Sequence, residues 1–348
     1  MKRVLLGVDV GGTTTAAGLV TAAGHVLVEE RAPTHHAGPR TANRTIVELI
    51  GSLRRRAARD GLAIEGIGVG VPGIVDAASG RIGDEAPHVP DLAGQPLGAR
   101  LGKRFGLPVF VDNDVNALAL AEFVFGHGRR ARSLVVLAPG TGFGAGVVLD
   151  GHLVRGAHGF GGEFGHAPVK FDGPPCWCGG RGCLALYASG RGIAEAARAR
   201  VASTAGAPLL AAAGGDPAAI TAPLVFRAAE AGDAVAVSVV DEACRALGAM
   251  LGVIVNGLNP EVVVITGGVA ASLAPLERRI LGAAGEYAFR RALVRTRVVI
   301  TPADKRVTMR GAAALVLYER ELARGRARER GARAAGRAAG SRRRGGKR

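Results

Sequence analysis

The chain has 348 residues, 48% of them hydrophobic and 4% aromatic, with a formal net charge of +16. That length allows two domains with substantial cores, and that hydrophobic share excludes a chain disordered throughout. No apolar run approaches the ~18 residues of a membrane span, and four sparse, clustered cysteines fit a reducing cytoplasm better than a disulfide scaffold.

The charge is unevenly placed. From Arg324 to Arg348 there are eleven Arg or Lys and a single acid, Glu329, in a stretch of Gly, Ala and Arg without apolar periodicity. That composition predicts a disordered basic tail over residues 323–348. The tail could touch nucleic acid or another acidic surface through counterion release, but the preferred reading is a solvated tail with no dedicated partner. The opening MKRVLLGVDVGG has the charge of a signal peptide, yet Asp9 interrupts its apolar stretch and no cleavage site follows, so no targeting signal is read.

In chain order, RVLLGVDV and GGTTTAAGLVTAAGHVLVEERA read as strand, glycine turn, strand, short turn, strand. Ile46, Leu49, Ile50 and Leu53 recur at helical spacing and predict an amphipathic helix over Arg40–Asp60. IEGIGVGVPGIVD is a buried strand ending in a Gly/Pro turn. LPVFVDNDVNALALAEFVFG reads as strand, polar turn and helix, with Asn113 or Asp114 at the cap position. RSLVVLAPGTGFGAGVVLDGHLV then repeats the opening pattern, with GTGFGAG where GGTTTAAG stood before. Two such glycine hairpins predict a duplicated α/β core with a cleft between its halves. Residues 188–257 are almost wholly helical in pattern, with Cys244 an ordinary buried helix residue. NPEVVVITGGVA is a buried strand leading through a glycine turn into a helix. RVVITPA is a last strand and VTMRGAAALVLYEREL a last helix.

Several motifs carry chemistry. In DVGGTT, Asp9 stands at a strand end, and Gly11 and Gly12 can bring backbone N–H groups close to phosphate oxygens. Thr13 adds a hydroxyl, and Asp9 is placed to hold Mg²⁺ through water. Gly140, Thr141 and Gly142 could grip the same polyphosphate from the other side. Either turn alone is weak, because hairpins use glycine regardless of ligand; the matched pair is stronger. Neither is a Walker A loop. Asn113 and Asp114 project from the carboxyl edge of a strand, where ligands collect in α/β sheets. Asp114 could take a proton from an attacking hydroxyl or merely cap the helix. Glu163, flanked by glycines in GGEFGH, could accept hydrogen bonds from sugar hydroxyls or be an unpartnered loop acid. Finally, CWCGGRGC, beginning ten residues beyond His166, holds Cys176, Cys178 and Cys183. Three thiolates and an imidazole are the closed tetrahedral set of a structural zinc site; the alternative is a group of incidental buried cysteines.

In this order, DVGGTT, GVGVPGIVD, VDNDVNALALAE, GTGFGAGVVLDG, GAHGFGGEFGH, CWCGGRGC and NPEVVVITGGVA resemble the ROK family of bacterial sugar kinases, near its glucokinase branch. The resemblance runs from about residue 4 to about residue 322. It implies an actin-like ATPase (ribonuclease H-like) fold of two α/β domains flanking a cleft: residues 1–112 with 308–322, and residues 113–307 bearing the zinc loop. It implies ATP with Mg²⁺ as phosphoryl donor and a hexose hydroxyl, most simply that of glucose, as acceptor. Asp114 would be the catalytic base, and Asn113, Glu163 and His166 sugar contacts. His166 would also ligate zinc beside Cys176, Cys178 and Cys183. Asp9, Gly11, Gly12, Thr13, Thr14, Gly140, Thr141 and Gly142 would surround the phosphates, and Gly267 and Gly268 the adenosine. The resemblance also implies a homodimer or homotetramer.

Three positions depart from the family pattern. Thr14 stands where GGTK is usual, which removes one cation near the phosphates. Ala185 follows Cys183-Leu184 where the pattern has an acid contacting the sugar. Losing such a charged hydrogen bond costs about 1.5–3 kcal/mol, or about 10- to 150-fold in binding. His88 stands where an Asn is usual. The alternatives are therefore a kinase for another hexose or an amino sugar, or a sugar-sensing regulator of the same family. Regulators carry a DNA-binding segment ahead of the body, whereas the first core strand here begins by Arg3.

Overall fold

In a computed structural model, which describes residues 1–201, 207–304 and 306–325, the chain separates into two compact units. One is Met1–Asp112 with the chain from Ala312 onward; the other is Asn113–Gly311.

The first unit opens with an antiparallel meander of β1 (Lys2–Val10), β2 (Thr14–Val20) and β3 (Val26–Pro33). After α1 (Ala42–Arg59), β4 (Leu62–Val71) pairs parallel to β1. A separate small hairpin of β5 (Val75–Asp76) and β6 (Arg81–Ile82) and then α2 (Leu97–Phe105) lead to β7 (Val109–Asn113), which completes the sheet order β3-β2-β1-β4-β7. β1 is apolar on both faces because both are covered. Val4, Leu6, Val8 and Val10 pack with Ile46, Ile50 and Leu53 of α1. Leu5 turns the other way, toward Ala313 and Val316 of the last helix.

The second unit begins with α3 (Asp114–Val124) and a second meander, β8 (Leu134–Pro139), β9 (Phe143–Leu149) and β10 (His152–Leu153). A long loop leads to α4 (Ala185–Ala188), α5 (Gly190–Arg200), α6 (Ala207–Ala212), α7 (Ala222–Glu230) and the 25-residue α8 (Ala234–Leu258). Then come β11 (Val262–Gly267), α9 (Ala270–Leu273), α10 (Glu277–Tyr287), α11 (Arg290–Leu293) and β12 (Arg297–Pro302). The sheet order is β10-β9-β8-β11-β12, with β11 parallel to both β8 and β12. Each sheet is thus a three-stranded meander whose first strand pairs with a later parallel strand. The repetition first seen as two glycine hairpins extends to whole sheets.

Two expectations change. The predicted polar turn before α3 is missing: β7 ends at Asn113 and the helix starts at Asp114. Asn113 makes a turn unnecessary, because its Oδ1 accepts from the N–H groups of Val115 (2.9 Å) and Asn116 (3.2 Å), satisfying amides that a helix start leaves open. The last helix, α12 (residues 307–325), runs three residues into the segment read as a disordered tail; residues 326–348 lie outside the described residues.

α12 is held to the first sheet partly by charge. Glu65 on β4 accepts from Arg320 of α12 at 2.7 Å and from Arg3 of β1 at 2.9 Å. Burial raises the Glu65 carboxyl, but the two guanidiniums outweigh it and leave the group below its ordinary value. A depressed carboxylate stabilises the fold above its unfolded pKa and loses that contribution as pH falls through its folded value. Glu65→Gln should therefore cost about 1 kcal/mol near neutrality. In thermal denaturation, its deficit against the parent should shrink as the pH is lowered below about 4.

Candidate functional site

The first glycine turn joins β1 to β2. Asp9 is partly buried at the end of β1, opposite Ala16 of β2 and Gly70 of β4. The Gly11 N–H, expected to face a ligand, instead donates to the Thr14 carbonyl at 3.0 Å. It closes the turn rather than opening it. The outward surface is carried by Gly12, Thr13 and Thr14, all exposed. Three buried threonines brace this turn from behind. Thr34 donates its hydroxyl to the Gly11 carbonyl (2.6 Å) and its N–H to the Thr13 carbonyl (2.8 Å). Thr15 meets the Thr34 hydroxyl at 3.0 Å, and Thr45 of α1 donates to the Thr34 carbonyl at 2.7 Å. Sequence reasoning missed Thr34, since nothing near it in the chain marks it as a partner of Gly11.

The second unit gathers the other candidates around the start of β9. The Gly140 N–H donates to the Gly142 carbonyl at 3.0 Å. The carbonyls of Gly140 and Thr141 accept from the N–H groups of Gly190 (2.8 Å) and Arg191 (3.0 Å) at the start of α5. The Val269 N–H donates to Pro139 at 2.9 Å, which sets the Gly267–Gly268 turn beside the Gly140–Gly142 turn. In front of Gly140, Gly142 and Gly268 lies open space, where a Cβ would meet no atom within 4 Å. Ser189 caps α5, accepting from the Gly192 N–H at 2.9 Å. Its participation was legible as a serine before a helix but was not drawn.

α3 lies on one face of β9. A Cβ on Gly144 would fall 2.5 Å from the Val115 side chain, so helix and strand approach where side chains are missing. Asp114 precedes Val115 and is held at that edge, half-buried, with Oδ1 accepting from the Val115 N–H at 2.9 Å. The opposite face of β9 carries the 3-10 turn Phe164–His166, whose Gly165 sits against the Phe143 carbonyl. Glu163 leads into that turn. Removal from water raises its carboxyl above the ordinary value, partly offset by nearby His166. Asn113, Asp114, Glu163 and His166 therefore bracket the first residues of β9.

His166, Cys176, Cys178 and Cys183 form one cluster, with all four ligand atoms within 4.8 Å of one another. Cys176 Sγ lies 3.7 Å from His166 Nδ1, and Cys178 Sγ lies 3.7 Å from Cys183 Sγ. Ligands tetrahedrally disposed about zinc at ~2.3 Å stand ~3.7 Å apart, so the donors fit that ion. The Gly180 N–H donates to Cys178 Sγ at 3.4 Å and lowers that thiol's pKa. Burial and the neighbouring sulfurs push Cys183 up to about 12 in the protein alone. A divalent cation supplies the charge that three adjacent thiolates require. Trp177, between two of the ligands, lies under the Arg191 guanidinium at 4.6 Å. Arg191 thereby touches the cysteine loop with its side chain and the Thr141 carbonyl with its N–H, a link absent from the sequence reading.

Elemental analysis should find about one zinc per chain. Because Trp177 is the only tryptophan, stripping the metal with a chelator should alter intrinsic fluorescence and lower Tm together. An unchanged spectrum on metal loss would refute the site. Thr34→Val, which keeps the shape and removes the hydroxyl behind Gly11, should cost about 1–3 kcal/mol in denaturant unfolding.

Among the described residues, no helix is long and apolar enough to cross a membrane. A model of the ROK family matches residues 5–319. The glucokinase of Thermotoga maritima is 34% identical over 320 residues, covering 90% of this chain and 98% of its own. A crystal structure of a ROK family glucokinase from Streptomyces griseus in complex with glucose and AMPPNP matches at TM-score 0.67 and 32% identity, over 90% of this chain and 98% of that one. The xylose repressor of Caldicellulosiruptor bescii is 35% identical over 224 residues, 64% of this chain and 55% of its own. The relatives thus include regulators as well as kinases. The paired sheets are those of the actin-like ATPase fold, and with a match from residue 5 to residue 319 the chain belongs to the ROK family.

Proposed function

We propose that the protein is a sugar kinase that transfers the terminal phosphoryl group of ATP to a hexose hydroxyl, most simply the 6-hydroxyl of glucose. The observation that carries this reading is the convergence on β9: Asp114 from one face, Glu163 and His166 from the other, and the open Gly140–Gly142 turn at the strand's start. The Streptomyces griseus relative, which holds glucose and AMPPNP, supports it.

Phosphoryl transfer leaves the protein to position reactants and stabilise charge. Asp114 accepts the proton of the attacking hydroxyl, which makes the oxygen a better nucleophile as the bond to phosphorus forms. Asn113 has its Oδ1 engaged in capping, so it meets a ligand as an amide N–H donor. Glu163 accepts from sugar hydroxyls. His166 presents Nδ1 to the cysteine cluster, which leaves Nε2 to carry the proton and donate to a sugar oxygen. Gly12–Thr14 in the first unit and Gly140–Gly142 in the second each present open backbone suited to phosphate oxygens, and Gly267 with Gly268 to the adenosine end. Asp9 would hold Mg²⁺, which would neutralise phosphate charge, and His166, Cys176, Cys178 and Cys183 would hold a zinc ion that would fix the loop.

A second reading, a sugar-responsive regulator, is favoured by the similarity to xylose repressors. ADP release measured across a panel of hexoses separates the two, and zinc-loaded, folded protein that turns over no sugar would rule out the kinase. Asp114→Asn should lower kcat by about a hundredfold or more while sugar binding by calorimetry persists. Near-normal turnover in that variant would remove Asp114 as the base.

A further inference from the structure

The first glycine turn has a charge problem. Its residues, DVGGTTT from Asp9 to Thr15, contain a carboxylate and no cation. A polyphosphate approaching Gly12 and Thr13 would find backbone N–H groups and hydroxyls, but no cationic side chain in the turn. Mg²⁺ near Asp9 would offset part of that charge, but any side-chain cation has to come from outside the turn.

A cavity of about 740 Å³ opens directly on Gly12 and Thr13. Its other walls include His35, Arg40 and His88, and no carboxylate lines it among the described residues. His88 lies against the turn: a Cβ on Gly12 would stand 3.3 Å from the His88 Cβ and 3.6 Å from its Nδ1. His35 is oriented by the backbone, because its Nδ1 accepts from the Thr41 N–H at 3.2 Å. In the neutral ring the proton is then on Nε2, a donor. Thr41 also donates its hydroxyl to the Gly38 carbonyl at 2.8 Å, which folds the loop back on itself and leaves Arg40 exposed beside the cavity. Arg40 has φ of 59°, in the left-handed region where a side chain is disfavoured and glycine is not. A guanidinium and two imidazoles around one cavity, with no carboxylate among its described walls, suit an anion.

We infer that Arg40 is a phosphate-binding residue of the first glycine turn, supplying the positive charge that the turn lacks, with His35 and His88 as flanking donors. The inference rests on the kinase reading for its ligand, the phosphates of the nucleotide. A negatively charged acceptor sugar would suit the same chemistry and is separated by the test below.

The backbone at Arg40 provides a clean experiment. Arg40→Gly removes the guanidinium while relieving the left-handed strain, so the variant should fold with an unchanged or higher Tm. Its KM for ATP should rise about 10- to 100-fold, the range for a lost charge-assisted hydrogen bond, with the KM for sugar within twofold of the parent. Calorimetric Kd for ADP, measured without sugar, should weaken in parallel, and Arg40→Lys should fall between parent and glycine variant. Parent-like values of KM for ATP and Kd for ADP in Arg40→Gly would overturn the inference while leaving the kinase reading intact. A change confined to the sugar KM would overturn it in favour of an anionic acceptor. Arg40-dependent ADP binding in a protein that phosphorylates no hexose would uphold the inference and overturn the kinase reading instead.

Discussion

The second unit depends on how closely α3 can lie on β9. At Gly144 and Gly146 the strand has no side chains on the helix-facing side, and the space is filled by Val115 and Ala119. A Cβ at 146 would stand 2.7 Å from the Ala119 Cβ and 2.8 Å from the Val115 carbonyl, so neither glycine can be replaced without moving the helix. Overpacking of this kind costs about 1–3 kcal/mol, which a fold of this size can absorb. Under the kinase reading, the consequence for chemistry is larger. Asp114 is the first residue of that helix, and a displacement of ~1 Å between reacting groups can cost about a hundredfold in rate. Two absent side chains thus set the position of a carboxylate that is distant from them in the chain.

The other face of β9 is arranged by different means. The segment bearing Glu163 and His166 has little regular structure, being one 3-10 turn in a long loop. Its order comes from contact with β9 at Gly165 and from the His166–cysteine cluster. Arg191 extends this arrangement: stacked on Trp177 and hydrogen-bonded through its N–H to Thr141, it ties the cysteine loop to the second glycine turn. A metal site with no open coordination position can therefore bear on ligand binding purely by fixing where its neighbours stand.

Much of this was legible in the chain because it is local. The spacing of Ile46, Leu49, Ile50 and Leu53 gave a helix, observed as Ala42–Arg59. Two glycine hairpins gave the repeated sheet, and three cysteines after a histidine gave a cluster whose distances suit tetrahedral ligation. What escaped was long-range. Thr34 supports Gly11 from 23 positions away, and Arg191 reaches back to Thr141. The Gly11 N–H was expected to serve a ligand, yet the turn's own geometry consumes it. Hydrogen bonds between distant segments leave no periodic trace, so composition and spacing cannot reveal them. The missing turn before α3 is a milder case: the cap at Asn113 was foreseen as one of two choices, but not that a cap would make the turn redundant.

Ala185 shows how the departures from the family pattern bear on the sugar. It is fully buried and belongs to the apolar cluster that includes Leu184, Tyr187 and Ala188. Its carbonyl accepts the Ser189 hydroxyl at 2.6 Å, so the same residue anchors the cap of α5. An acid at 185 would have to leave that apolar setting or carry its charge into it, and an unpaired buried carboxylate costs several kcal/mol. The position has become part of the core. Under the kinase reading, recognition of the acceptor then falls on Asn113, Glu163 and His166. Two of these three lie on the loop that carries the cysteine cluster, so on that reading the cluster bears on which hexose is accepted.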